Sequence, residues 1–355
     1  MVRLESVFSL GFVAMLVLSV SSGGCILAST SNVSAAGSTR VGIAGGKWTI
    51  NGSVTYPGAP AEGLLLNVRM VNAVFEDRNN PSFDPEANAD EFIAAIPDYV
   101  AHGVRAFTLN LQGGNPGLYL DRKNPELTVL NSAFNPDGSL KTSYMNRVAR
   151  VIEACDQNGA VVILGLFYFG QDQYLQNETA IRTGVVNAVN WIRANDFTNV
   201  LLEIANEYPM SDVYDHPVLY THSGQASLVQ LAKQTYNRLL ISTSSWYSAF
   251  SPVVAAASDY LLVHQNEVPI AEFTAQMAYF KSFGKPVVIN EDGRVRSIGA
   301  QAAEASVLNG ASWGMMHYAI NQTYPFTFNG VADDPTVYAK LSALATPASG
   351  GEKGK

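Results

Sequence analysis

Two short runs of the chain hold residues whose types and spacing suit bond-breaking chemistry. One is Leu201-Leu202-Glu203-Ile204-Ala205-Asn206-Glu207; the other is Lys285-Pro286-Val287-Val288-Ile289-Asn290-Glu291-Asp292-Gly293. Each is an apolar stretch with the character of a buried strand that ends on Asn-Glu. Carboxyl groups at such strand ends are candidates for acid, base or nucleophile work. Two of them facing across an opening can flank a glycosidic bond, one protonating the leaving oxygen and the other attacking the anomeric carbon. Configuration is retained when they stand about 5–5.5 Å apart.

The two glutamates are useful only if the fold brings them together. Between about Gly63 and Ala345 the sequence repeats eight apolar or β-branched runs: Leu64–Val74, Ala106–Leu111, Ala160–Phe167, Val200–Ile204, Leu239–Ser242, Tyr260–Val263, Pro286–Ile289 and Ala311–His317. Segments between them carry helical periodicity, as in Met145/Val148/Ile152 before Gly159 and Ile181/Val185/Val189/Ile192. Continuous apolar strands alternating with helices predict an α/β fold with a covered parallel sheet, and eight repeats predict a (β/α)8 TIM barrel forming a single domain over 41–345. An open doubly wound sheet is the alternative. In the barrel, Glu207 ends the fourth strand and Glu291 the seventh, so the two face each other obliquely across the mouth. Residues 41–58 read as a strand, an Asn51-Gly52 turn and a strand, a hairpin suited to plugging the barrel floor. The stretch from Gly113 to Thr142 is long for a strand-to-helix loop and predicts a lid or cleft wall on the catalytic side.

At these residues the chain resembles the retaining β-glycosidases of glycoside hydrolase clan A, including glycoside hydrolase family 5. The resemblance implies Glu207 as acid/base, Glu291 as nucleophile and Asn206 as the partner of the sugar 2-hydroxyl. It also implies substrate-binding roles for His264 at the end of strand six, Trp313 in the strand-eight region, and Arg69 and Asn72 in Arg69-Met70-Val71-Asn72. Glu203 completes a Glu-x-x-Asn-Glu pattern and reads as a salt-bridged residue one layer lower. The chain departs from family 5 where Tyr208 separates Glu207 from Pro209, where Asp292 follows the second glutamate, and where Thr108 stands in place of the strand-two Arg. Tyr168, Phe169 and Trp246 are candidate sugar platforms, Tyr168 foremost, whereas Trp191 reads as core.

Composition narrows the alternatives. With 355 residues, 47% of them hydrophobic and 15% charged, the chain has the material for a large core. A net charge of -8 argues against nucleic acid as a partner. The five histidines form no His-Glu-x-x-His, and Gly45-Gly46-Lys47 lacks the upstream glycine of a phosphate loop, so neither metal nor cofactor is expected. Gly310-Ala311-Ser312-Trp313-Gly314 matches a nucleophile-elbow pattern, but only His317 follows it. The expected partner is a carbohydrate, turned over or, as the second reading, held by a glycan-binding barrel without turnover.

At the N-terminus, Arg3 and the apolar run Val7–Val20 read as a signal peptide over 1–28, so the protein is expected to be exported: secreted, periplasmic or at the cell surface. Ser22-Gly23-Gly24-Cys25 resembles a lipoprotein cleavage box, which makes a lipid anchor at Cys25 the one expected route to a membrane. Residues 29–40 read as a flexible leader and 346–355 as a disordered tail. Cys155, in phase with Val148 and Ile152, reads as a small buried residue.

Overall fold

The computed structural model describes residues 38–77, 80–113, 130–246 and 250–348. The expected signal peptide, Cys25, nearly all of the leader, residues 114–129 of the expected lid and most of the tail lie outside the described residues.

The chain enters as a three-stranded antiparallel meander, β1 (Val41–Ala44), β2 (Lys47–Ile50) and β3 (Ser53–Val54). Its turns are Gly45-Gly46 and Asn51-Gly52, all four at positive φ as tight hairpins require. The meander carries Trp48 into the base of the barrel, where it is fully buried and meets Tyr260 edge to face at 5.3 Å. The segment thus forms three strands where the sequence pattern suggests two.

All eight apolar runs contribute strands: β4 (Asn67–Arg69), β5 (Ala106–Asn110), β6 (Val161–Phe167), β7 (Val200–Ala205), β8 (Leu240–Ser242) with its continuation β9 (Ser244–Ser245), β10 (Leu261–His264), β11 (Val287–Glu291) and β12 (Gly314–Met315). Pairing is parallel from β12 through β4, β5, β6 and β7 to β8, and again from β9 through β10 to β11. The ring closes where Ser312 exchanges backbone hydrogen bonds with Val287 and Ile289, and Met316 N–H reaches Asp292 O. The fold is a (β/α)8 barrel. The first apolar run overshoots its strand, because the chain leaves the barrel after Arg69 and turns through a 3₁₀ segment at Val71–Val74.

Helices α1 (Pro85–Ala101), α2 (Thr142–Gln157), α3 (Glu178–Ala194), α4 (Pro217–Tyr220), α5 (His222–Thr235), α6 (Pro252–Ala257), α7 (Phe273–Lys281), α8 (Arg296–Leu308) and α9 (Pro335–Ala345) lie between and after the strands. Their starts follow capping chemistry: Asp84, Asn177, Thr221 and Asp334 each accept a backbone N–H of the first turn.

Strand alternation divides the interior in two. Outward-facing Val68, Phe107, Leu164, Leu202, Ile241, Val263, Ile289, Trp313 and Met315 join the helices in one large core that includes the buried Cys155. Inward-facing Leu65, Ala106, Val161, Ile163, Leu201, Leu262 and Val288 form a smaller cluster over Trp48. Above that cluster the inward positions turn polar: Asn67, Thr108, Asn110, Glu203 and Asn290, all buried.

Candidate active site

The site is built at the C-terminal ends of β4, β7, β10 and β11, the face on which barrels of this kind carry their chemistry. Glu207 follows β7 in a left-handed conformation (φ 53°) that a residue with a side chain adopts only under constraint. The constraint is visible: Glu207 N–H donates to Ser244 Oγ at 2.9 Å, and Tyr208 N–H donates to Ser244 O. Glu291 ends β11, and a register shift between Val263 and His264 brings His264 opposite it.

The two carboxyl groups and the imidazole form one cluster, a single donor atom from each lying within 4.8 Å of the other two. His264 Nδ1 is 2.7 Å from Glu207 Oε1 and 3.4 Å from Glu291 Oε2. Arg69, fully buried at the end of β4, places Nε 2.8 Å from Glu291 Oε2 and donates from Nη2 to Asn206 Oδ1 at 2.6 Å. Asn266 Nδ2 donates to Glu291 Oε1 at 2.6 Å.

These contacts set the charges. Burial alone would raise the Glu291 pKa, but Arg69, then His264 and the Asn266 hydrogen bond, hold it below the ordinary carboxylate value. Burial would lower the His264 pKa, yet Glu291 and Glu207 raise it above the usual imidazole value. The outcome is an ionised Glu291 clamped by a guanidinium, beside an imidazole that binds its proton more firmly than usual.

Of the residues expected at the site, Glu207, Glu291, Asn206, His264 and Arg69 are brought together. Tyr168, half-buried at the end of β6, is electrostatically coupled to Glu291 and Arg69, and burial followed by Glu291 pushes its phenol pKa up. Three expectations need correction. Trp313 lies on the outward face of its strand, fully buried, with its indole N–H on Asp292 Oδ2 at 2.9 Å, so it offers no face to a ligand. Strand alternation sets this: Ser312 and Gly314 point in, Trp313 out. Asn72 has left the barrel with the 3₁₀ turn and is fully buried, donating to Asn321 O at 3.0 Å, where it ties down the segment after β12. Glu203 has no ion-pair partner among the described residues, so it is buried as expected but not salt-bridged. Ser312 is also fully buried, accepting from Leu65 N–H, which removes the nucleophile elbow.

Three supports lie outside the residues singled out above. Asn266 binds Glu291, Ser244 fixes the Glu207 backbone, and the Tyr214 hydroxyl donates to Asn206 O. Asn266 lies two residues beyond His264, so its place after strand six was the available signal; Ser244 and Tyr214 carry none.

Glu207, His264 and Glu291 have the atom types and proximity to hold a metal ion. A divalent cation there would adjoin the Arg69 guanidinium, which already neutralises Glu291. Farther out, a small cleft lined by Gln112, Leu130, Ser132, Phe134 and Tyr174 lies beside the β5–α2 connection and includes none of the clustered residues.

No protein-family model matches the sequence, and no curated protein matches it. Solved structures do match in fold. A mannohexaose complex of a β-mannanase from Thermomonospora fusca aligns at TM-score 0.57 and 14% identity, over 89% of this chain and 98% of that one. A β-1,4-D-mannanase from Cryptopygus antarcticus aligns at 0.54 and 12%, over 89% and 96%. A glycoside hydrolase family 5 enzyme from Prevotella bryantii B14 aligns at 0.55 and 10%, over 83% and 99%. The chain thus has the barrel fold seen in family 5 glycoside hydrolases.

Proposed function

We propose that the protein hydrolyses β-glycosidic bonds of a poly- or oligosaccharide by a retaining double displacement. One observation carries the reading: oxygens of two buried carboxyl groups at the barrel mouth lie within 4.8 Å, and Arg69 clamps one of them alone. That separation supports direct attack by a carboxylate, because inverting enzymes hold their carboxyls about 6.5–9.5 Å apart to admit a water between.

Glu291 is the nucleophile in this reading. Its carboxylate bonds to the anomeric carbon as the glycosidic C–O bond breaks, and the departing oxygen takes a proton from Glu207. Glu207 then removes a proton from water, whose oxygen displaces Glu291. His264, hydrogen-bonded to Glu207 at 2.7 Å, holds that carboxyl in place through both steps. Arg69 Nη1, Asn206 Nδ2 and His264 Nε2 are buried at the mouth without protein partners, which suits them to sugar hydroxyls. Export, inferred from the N-terminal apolar run, suits a polymeric substrate outside the cell.

A reducing-sugar assay on β-glucans, mannans and xylans tests the proposal, with Glu291→Ala as control. Turnover by the wild type and none by the variant supports it. Binding of a glycan without turnover at any pH would replace it with the glycan-binding reading.

A further inference from the structure

Beneath the clustered residues lies a layer whose hydrogen bonding does not balance. Asn67 Oδ1, Thr108 Oγ1, Asn110 Oδ1, Glu203 Oε1 and Asn290 Oδ1 are all buried without partners. They belong to inward-facing positions on β4, β5, β7 and β11, and all five are oxygens. Asn67 cannot be turned over to change this, since its amide nitrogen already donates to Leu65 O and Ile289 O.

Gly165 is the structural sign that two of these groups converge. A Cβ at Gly165 would lie 2.3 Å from Asn110 Oδ1 and 3.4 Å from Glu203 Oε2, so the missing side chain is what lets β5 and β7 send polar groups into the same space. The same Glu203 Oε2 accepts from Asn290 Nδ2 at 3.4 Å, next to Glu291 in sequence. Thr108 Oγ1 is a hydroxyl that can donate, but the three Asn Oδ1 atoms only accept, and an ionised Glu203 would add a buried negative charge beside them.

We propose that Glu203 is a neutral carboxylic acid in the working protein, a positioning residue whose proton is donated within this interior layer and whose neutrality leaves the Arg69 charge to Glu291. Facing Glu203 are Arg69 on β4, His264 on β10, Glu291 on β11, Tyr260 before β10, Tyr214 beyond β7, and the Ser244 hydroxyl on β9. Arg69, His264 and a hydrogen bond from the Ser244 side chain favour the ionised form, but burial outweighs them and, with the nearby Glu291 charge, raises the Glu203 pKa. Ionised, Glu203 would compete with Glu291 for both cations. The positioning role rests on the glycosidase reading; the protonation does not.

The test is Glu203→Gln, whose amide reproduces the shape and donor of the neutral acid. An acid with a raised folded-state pKa binds more protons folded than unfolded, so the wild type loses stability as pH rises through that window while the variant does not. The melting temperature of Glu203→Gln relative to wild type is expected to climb as pH rises above the unfolded carboxylate value, about 4.3. Infrared difference spectra are expected to show the loss of one protonated-carboxyl band. Glu203→Gln is expected to keep activity within about threefold, whereas Glu203→Ala loses about tenfold or more. A variant that fails to fold, grows relatively less stable as pH rises, or loses no protonated-carboxyl band would overturn the proposal, as would a stoichiometric cation bound by wild type and absent from the variant. The melting and infrared readouts need no substrate, so they stand or fall separately from the glycosidase reading.

Discussion

The lower and upper halves of the barrel interior are made by the same strands and behave as opposites. Below, Trp48, Leu65, Ala106, Ile163, Leu201, Tyr260, Leu262 and Val288 form a dry cluster in which the one indole and one phenol are the polar exceptions. Above, one turn of the pleat higher on the same strands, Asn67, Thr108, Asn110, Glu203 and Asn290 lead up to Arg69, Glu207, His264 and Glu291. A residue type that stabilises one half would disable the other. The floor gains from area removed from water, whereas the mouth keeps charges in a poorly hydrated place and must satisfy them one by one.

Substitutions at the two levels should therefore separate activity from stability. The largest effect on rate is expected for Glu291→Ala: loss of roughly 10⁴-fold or more in kcat, for substrates with good and poor leaving groups alike. Glu207→Gln should instead be selective, losing about 10²–10⁴-fold on unactivated glycosides and far less on aryl glycosides with good leaving groups. Steady-state kinetics on the two substrate types checks both. Equal losses for Glu207→Gln would remove it as the acid.

Arg69→Ala should act on both axes. Removing one partner of a buried ion pair costs about 3–5 kcal/mol of stability, measurable by denaturant unfolding. It should also move the acid limb of the pH–rate profile upward. Because Glu291 has a depressed folded-state pKa, its contribution to stability is present above the unfolded value, about 4.3, and is lost as pH falls through the folded one. Without the guanidinium, burial is left as the largest influence and the limb should move toward or past that value. Arg69→Lys should not rescue the rate, since one ammonium cannot reach both Glu291 and Asn206 as the planar fork does.

At the floor the ranking reverses. Trp48→Ala should lower stability by about 3–5 kcal/mol while leaving kcat/KM within a fewfold of wild type below the melting transition. The smallest effect on KM is expected for Trp313→Phe, because the indole meets the outer core and Asp292. A large rise in KM there would show that the ring reaches the substrate.

The alternation of strands and helices around the barrel is legible in sequence because period-two and period-3.6 patterns report burial, and burial is what positions strand ends. What those patterns do not report is which way one side chain points when a strand is apolar on both faces. Ala311–His317 is such a run, and the sugar-binding role that the resemblance implies for Trp313 fails because pleating turns it outward. Asn72 was misplaced for a related reason: three residues after Arg69 the chain is no longer a strand, and nothing in Leu64–Val74 marks the exit. Arg69 stands out in the sequence only through the family resemblance of Arg69-Met70-Val71-Asn72, and its pairing with Glu291 is a three-dimensional fact. Supports such as Ser244 and Asn266 become visible only once β9 and β10 lie beside Glu207 and Glu291.

The central claim is that Glu291 bonds covalently to the sugar. It is tested most directly by treating the protein with a fluorosugar inactivator matched to the preferred substrate and locating the adduct by peptide mass spectrometry. A stoichiometric adduct on Glu291, absent from Glu291→Ala, is the predicted result. Turnover to the inverted anomer with no adduct, or an adduct on Glu207, would contradict it.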